Sequence, residues 1–252
     1  MKTINLLLTL CLAGSSAGLH GQKPGDKSAS MEKTRIEAVR EKVEPKLREK
    51  LAESGLALGN PAFIRVVKEN PELELWLRPK GEKKYKLWKT WPVAAMSGKL
   101  GPKEKQGDLQ APEGFYSVDL AALNPKSLYH LSFNLGYPNA FDREHQRTGD
   151  FLMVHGNKVS IGCFAMTDPV IEEIYLVVEA ALRAGQREVP VHAFPFRMTE
   201  ERMAEAAESE KEAKWLEFWQ DLRVAWDKFE TETIPPKVKV VKKRYVVEKG
   251  VK

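Results

Sequence analysis

Residues 151–170 read Phe151-Leu-Met-Val-His155-Gly156-Asn-Lys158-Val-Ser160-Ile-Gly162-Cys163-Phe-Ala165-Met-Thr167-Asp168-Pro169-Val170. The apolar FLMV predicts a short buried strand that delivers His155 at its end. Gly156 and Gly162 bound a tight loop. Thr167 or Asp168 can cap a following helix, and Pro169 suits its first turn. That helix places Ile171, Ile174, Val177, Val178 and Ala181 on one face and stops at Gly185. Cys163 therefore sits between a strand end and a helix start.

This placement carries chemistry. A helix N-terminus can hold a nearby thiol as thiolate through its dipole and free N–H groups. Gly162 removes a side chain beside the sulfur and exposes backbone N–H groups as an oxyanion hole. The loop can fold His155 back onto Cys163, to take the thiol proton and return it to a leaving group. The plainer reading is a buried, inert cysteine.

Working outward, strand-like stretches fall at 62–68, 72–77, 84–88, 91–96, 115–118 and 127–133. Asn70-Pro71 and Lys80-Gly81 are hairpin turns between them. Short strands separated by turn signals indicate a β-sandwich or barrel. Before them, 31–54 reads as a charged amphipathic helix with Ile36, Val39, Val43, Leu47 and Leu51 in register, with Pro45 as the point where a kink or split is expected. Packing on the main domain is the expectation for it, rather than a partner-binding arm. After Phe196 the pattern turns helical, with Thr199 ahead of Glu200 and Glu201 as a start signal. Trp215, Trp219, Leu222, Trp226 and Phe229 form a stripe that reads as a carbohydrate platform or as the buried face of a docked helix. Helical spacing favours the buried face. VKVVKKRYVV suggests a final strand within a basic tail, read as a solvated edge or as an attraction to an anionic surface.

The fold class expected is mainly β with flanking helices (α+β). Its organisation would be a signal peptide at 1–17, a disordered start and helix at 18–58, a catalytic domain at 59–197, and a helical extension with basic tail at 198–252. The signal peptide rests on Lys2, the apolar LLLTLCLAG (6–14) and the small residues Ser15 to Gly18. The run is short of the roughly 20 apolar residues a membrane span needs. Leu10 before Cys11, where a small residue is wanted, argues against a lipid anchor. Export to the periplasm or envelope would follow.

The chain has 252 residues, 42% hydrophobic and 30% charged, with a net charge of +5. These values suit one globular domain with extensions. The mild excess of positive charge suits an anionic wall polymer or headgroup, and no nucleic-acid motif accompanies it. There are two cysteines, Cys11 and Cys163. Removal of the leader leaves Cys163 as a lone thiol in an oxidising compartment, a candidate reactive group. His130 reads as an outward strand residue and His145 as a solvated loop residue. His192 reads either as packing or as a neighbour of the active site. The sequence lacks CxxC and HExxH, so neither a metal nor another cofactor is expected.

The His-Gly, short loop and Ser-x-Gly-Cys order resembles the signature of the YkuD-type L,D-transpeptidase family. Ser97-Gly98, Gly101-Pro-Lys103, Gly107-Asp108 and Pro112-Glu-Gly-Phe-Tyr116 are similar to the segments that precede its catalytic loop. Asn134-Leu-Gly-Tyr137-Pro-Asn139, Asp142-Arg143 and Arg147-Thr-Gly149 are similar to the approach to its active site. Cys163-Phe-Ala-Met-Thr-Asp168 and Val191-His-Ala-Phe-Pro-Phe-Arg197 resemble the YafK-like murein subgroup. The resemblance covers roughly 61–196 and continues more weakly to the C-terminus.

The resemblance implies a small β-sandwich with flanking helices and acyl transfer on peptidoglycan stem peptides. Cys163 would attack the carbonyl between diaminopimelate and D-alanine, with His155 as base. Ser160 would shape the loop or orient His155, and Gly162 and Cys163 would supply backbone donors. Tyr137 is implied as a substrate contact. Many relatives carry Arg two residues after the cysteine, where this chain has Ala165. Such an Arg suits a carboxylate; Arg143, Arg147 and Lys158 are the replacements to consider. Stem peptides are the expected partner, with a wall-linked lipoprotein as a further one, and the protein is expected as a monomer. The alternatives are a hydrolase on the same scaffold and a non-catalytic wall-binding protein. A papain-like protease fits less well, because there the cysteine precedes the histidine.

Overall fold

The computed structural model describes residues 33–248, so the expected signal peptide lies outside the described residues. Helix α1 (Arg35–Glu53) opens at Thr34, whose N–H donates to the Glu37 carboxylate at 2.8 Å. It runs through Pro45 without splitting. Pro45 is exposed, so water can satisfy the carbonyl left without a donor. Val39, Leu47 and Leu51 are buried.

Five strands form a mixed sheet: β1 (Ala62–Val67), β2 (Glu72–Leu77), β3 (Lys86–Pro92), β4 (Gly114–Val118) and β9 (Val189–Phe194), in the order β3-β2-β1-β9-β4. β1 and β9 are parallel; the other pairs are antiparallel. A second sheet joins β5 (Leu123–Asn124), β6 (Ser132–Asn134), β7 (Met153–His155) and β8 (Phe164–Ala165) in that order. Ala165 also exchanges backbone bonds with Ala94 and Ala95, which follow β3. One apolar cluster includes Ile64, Leu75 and Val191 of the first sheet, Phe133, Val154 and Phe164 of the second, and α3 (Asp168–Arg183). On α3, Ile171, Ile174, Val177, Val178 and Ala181 are buried, as their spacing requires. α1 packs along α3 through Arg40–Glu179 and Lys50–Glu173 ion pairs at 2.6 and 2.5 Å.

Three strand expectations are corrected. The stretches 84–88 and 91–96 are one strand, β3, whose register against β2 shifts between Leu75 and Trp76. A bulge accommodates the irregular pattern that reads as two strands. Of 127–133, only the last two residues are in β6. His130 has φ of 69°, and Arg35 Nη1 donates to the carbonyls of Ser127 and His130 at 2.6 Å each, holding a turn. At the C-terminus there is a hairpin, β10 (Val238–Val241) and β11 (Arg244–Val247), turning through Lys242 and Lys243 with φ of 50° and 61°. The Arg244 guanidinium on Asp221 and the Tyr245 ring stacked 4.1 Å from Phe141 hold a turn that two lysines would not choose.

Helices α4 (Glu200–Glu208) and α5 (Leu216–Glu232) cover the other face of the first sheet. Trp219, Leu222, Trp226 and Phe229 are buried there with Val67, Phe194 and Phe196. The stripe is therefore the inner face of a docked helix, except Trp215, which is only half-buried. His192 lies on this side, 4.8 Å from the rings of both Phe63 and Phe115. Burial, with Arg65 nearby, pushes its pKa down to about 3, so it is a neutral packing residue. His130 bonds Glu172 at 2.9 Å, and His145 stacks on Phe141 at 4.1 Å.

A fully buried ion pair, Lys68–Glu113 at 2.8 Å, ties β1 to β4. Lys68 Nζ also donates to the carbonyls of Gly101 and Ala111, and Trp219 Nε1 donates to Glu113. Glu113→Ala leaves a buried ammonium without its counter-charge. It should cost about 3–5 kcal/mol in urea unfolding, while Lys68→Met/Glu113→Leu together should cost much less; equal losses would discount the charge as the cause.

Candidate active site

β7 and β8 are parallel, with Val154 beside Phe164 and His155 beside Ala165. Continuing that register by one residue sets Met153 beside Cys163. The Met153 N–H donates to Cys163 Sγ at 3.4 Å, which agrees. His155 is thus paired two residues beyond Cys163 on the neighbouring strand, and Cys163 Sγ lies along the edge of β7, between the Met153 N–H and the Phe151 carbonyl.

The intervening loop is held by its own polar groups. Ser160 Oγ donates to the Cys163 carbonyl at 2.7 Å and accepts the Gly162 N–H at 3.1 Å. Ser160 thus braces the two residues before and at the nucleophile; its contacts are to the loop, not to His155. Gly162 has φ of 135°, and a Cβ there would come within 3.2 Å of Leu152 and 3.3 Å of the Gln110 carbonyl. Gly156 is required for a different reason: a Cβ would press on Asp168 and on the Tyr129 carbonyl. Asp168 accepts the Asn157 N–H at 2.7 Å, tying the loop to the start of α3.

His155 is buried, tilted against the Tyr129 ring at 4.6 Å. Its Nδ1 is 2.5 Å from the Gly156 carbonyl oxygen. That acceptor assigns the proton to Nδ1 and leaves the Nε2 lone pair as the base. Burial lowers the His155 pKa, and the Gly156 carbonyl offsets part of the shift. Burial raises the Cys163 pKa; the Met153 N–H and the Lys103 charge pull it back. Both shifts favour the neutral forms, a thiol and an imidazole. β8, Met166 and Thr167 stand between Cys163 and the start of α3.

Lys103 is the site residue that sequence reading passed over. It is buried, with Nζ on the Lys105 carbonyl at 2.8 Å and on Asp108 at 2.5 Å. Its Cε fills the space where a Gly149 Cβ would go, two residues before Phe151, whose carbonyl lies 3.6 Å from Sγ. Its signal was the Gly101-Pro-Lys103 segment, but no spacing relates that segment to Cys163.

The other named residues fall around this centre in different states. Tyr137 is buried, its hydroxyl donating to the Lys103 carbonyl at 3.2 Å, and burial raises its pKa. Arg147 is buried on Asp142 at 2.9 Å, over the rings of Phe141 and Phe218. Arg143, on the short helix α2 (Ala140–Glu144), is exposed and donates to the Pro138 carbonyl. Lys158 is exposed on the catalytic loop itself. Among the described residues, no group of three His, Cys, Asp or Glu side chains could hold a metal, and no helix is long and apolar enough to cross a membrane.

No family profile matches the chain. It is 44% identical over 192 residues to "Putative L,D-transpeptidase YafK" of Escherichia coli K12, covering 76% of each chain. This protein belongs to the YafK-like L,D-transpeptidase family. The match to the O157:H7 protein of the same name has the same extent. Among solved structures, the helical cell shape determining protein Pgp2 of Campylobacter jejuni aligns with 77% of this chain and 79% of its own, at 17% identity and a TM-score of 0.42. A point mutant of Pgp2 aligns with 72% of this chain and 63% of its own, at 19% identity and a TM-score of 0.43.

Within this L,D-transpeptidase-family site, Lys103→Met removes a positive charge acting on the sulfur. The thiol pKa should rise, and iodoacetamide alkylation at neutral pH should slow, with Lys103→Arg restoring both. A rate–pH profile superimposable on the parent's would assign Lys103 to holding the loop alone.

Proposed function

We propose that this protein is an exported, cysteine-dependent peptidoglycan L,D-transpeptidase acting at the diaminopimelate–D-alanine bond. The observation that supports this best is the placement of Cys163 and His155 on neighbouring strand ends of β7 and β8, with Nδ1 of His155 engaged and Nε2 left as base. His155 Nε2 takes the thiol proton as Sγ attacks the stem carbonyl carbon. Gly162 N–H is committed to Ser160 Oγ, so the Cys163 N–H is the donor for the oxyanion. The C–N bond then breaks, D-alanine leaves with the proton from His155, and a thioester remains on Cys163. An amine of a second stem attacks the thioester, gives its proton to His155, and Cys163 recovers a proton as the new amide forms. Because both resting groups are neutral, proton transfer accompanies attack instead of preceding it.

Lys158 takes the substrate carboxylate in this reading. Arg147 is spent on Asp142 and Arg143 on a backbone carbonyl, whereas Lys158 is exposed on the loop that carries the nucleophile. Lys158→Ala should raise KM about 10-fold with kcat little changed, as expected for uniform binding of a charge. An unchanged KM would remove Lys158 from the site.

The deciding experiment is mass spectrometry of tetrapeptide muropeptides, and of a lipoprotein-linked muropeptide, incubated with the protein and with Cys163→Ala. Dimers lacking one D-alanine, made by the parent and absent with the variant, are the expected result. Cysteine-dependent loss of D-alanine or release of the linked peptide, without dimers, would make water the acceptor and the enzyme a hydrolase. Equal products from both proteins would remove the covalent route. No conversion by either would favour a wall-binding role.

A further inference from the structure

β6 and β7 set Ser132 directly opposite His155. The backbone bonds nearby join other residues: the Gly156 N–H donates to the Leu131 carbonyl at 3.1 Å, and the Leu135 N–H to the Leu152 carbonyl at 2.9 Å. Ser132 and His155 are therefore a non-hydrogen-bonded pair, the kind in which opposed side chains come closest. Both are buried, at 0% and 1% exposure. Ser132 Oγ has no hydrogen-bond partner among the described residues. Its neighbour on the far side, Asn124 of β5, turns its own carbonyl oxygen to the Lys126 N–H.

A buried hydroxyl left unpaired is destabilising, and an alanine would avoid it. On the other side of His155 the chain does use alanine, Ala165 of β8. His155 thus lies between one strand that offers it no side-chain oxygen and another that offers a hydroxyl with nothing else to bond.

The base has need of such a group. Between taking the thiol proton and releasing it, His155 is an imidazolium in a buried site, and burial disfavours that charge. The Gly156 carbonyl supports it at Nδ1. The other polar groups around the ring are turned elsewhere. Tyr129 presents its ring, Asp168 accepts the Asn157 N–H, and His130, beside Gly156, bonds Glu172. Cys163 is the source of the proton. We propose that Ser132 is a positioning residue for His155: its hydroxyl turns its oxygen towards the imidazolium and supports that charge while the proton is in transit. The role rests on the reaction proposed above for the route of the proton, whereas the pairing of Ser132 with His155 does not.

The Cys163→Ala protein lets His155 titrate without the neighbouring thiol, followed by NMR of its ring protons. Ser132→Ala in that background should lower the His155 pKa by at least about half a unit, and Ser132→Thr should hold the parent value. Urea unfolding of Ser132→Ala should show no loss of stability, because the oxygen removed bonds nothing; a merely structural serine would leave the titration unmoved. With Cys163 intact, Ser132→Ala should lower kcat on the tetrapeptide muropeptide about 10-fold with KM little changed. It should also move the acid limb of the rate profile to lower pH, since a weaker base stays neutral further down the scale, and Ser132→Thr should restore both. A His155 pKa unmoved by Ser132→Ala, or lowered as much by Ser132→Thr, would overturn the role. The expected pKa shifts without turnover by the parent would keep Ser132 as the support of His155 and overturn the enzymatic reading instead.

Discussion

The buried Lys68–Glu113 pair is the constraint on which the site depends. All three ammonium donors are used, on Glu113 and on the carbonyls of Gly101 and Ala111. Both carboxylate oxygens are used as well, Oε1 by Lys68 and the Gly101 N–H, Oε2 by Trp219. Burying two charges costs several kcal/mol for each ion, which only such complete pairing offsets. What the arrangement secures is position. The 101–111 segment is pinned at both ends to the floor of the first sheet, and α5 is fastened at the same point. Gln110, carried on that segment, is thereby held against Gly162, and Lys103 against Gly149.

A dry, fully bonded surround explains the electrostatics of the thiol. Burial acts on Cys163 and His155 in opposite directions along the pKa scale, but to the same effect: each is held in its neutral form. A charged thiolate–imidazolium pair would need strong local support. The structure provides one N–H and one lysine already shared with Asp108.

The catalytic stretch was legible because its determinants are local. The apolar run before His155, the two glycines and the period of α3 each act within a few residues. What was not legible depended on partners far away in the chain. Arg147 and Arg143 look like free charges in sequence; only the fold shows Asp142 beneath one and the Pro138 carbonyl beside the other. Likewise the Lys242-Lys243 turn has no turn chemistry of its own and is imposed by contacts of Arg244 and Tyr245. The pair that organises the site, Lys68 and Glu113, gives no sequence sign at all. A lysine after an apolar strand and a glutamate in a Pro-Glu-Gly turn are ordinary surface patterns.

Ala165 sits where the two sheets join. Its backbone is bonded on one side to Ala95 and on the other faces β7, and its side chain is fully buried. An arginine there would have to push apart the contact between β8 and the segment after β3, which joins the two sheets. In this chain that junction is closed by small residues, Ala94, Ala95 and Ala165 in succession. The loop from Asn157 to Ile161 is largely exposed, and the 99–110 segment meets its base where Gln110 packs on Gly162. Both are braced from behind, by Ser160 and Asp168 on one side and by the Lys68–Glu113 pair on the other. How that loop and segment are set relative to one another is therefore a property of the buried charges behind them.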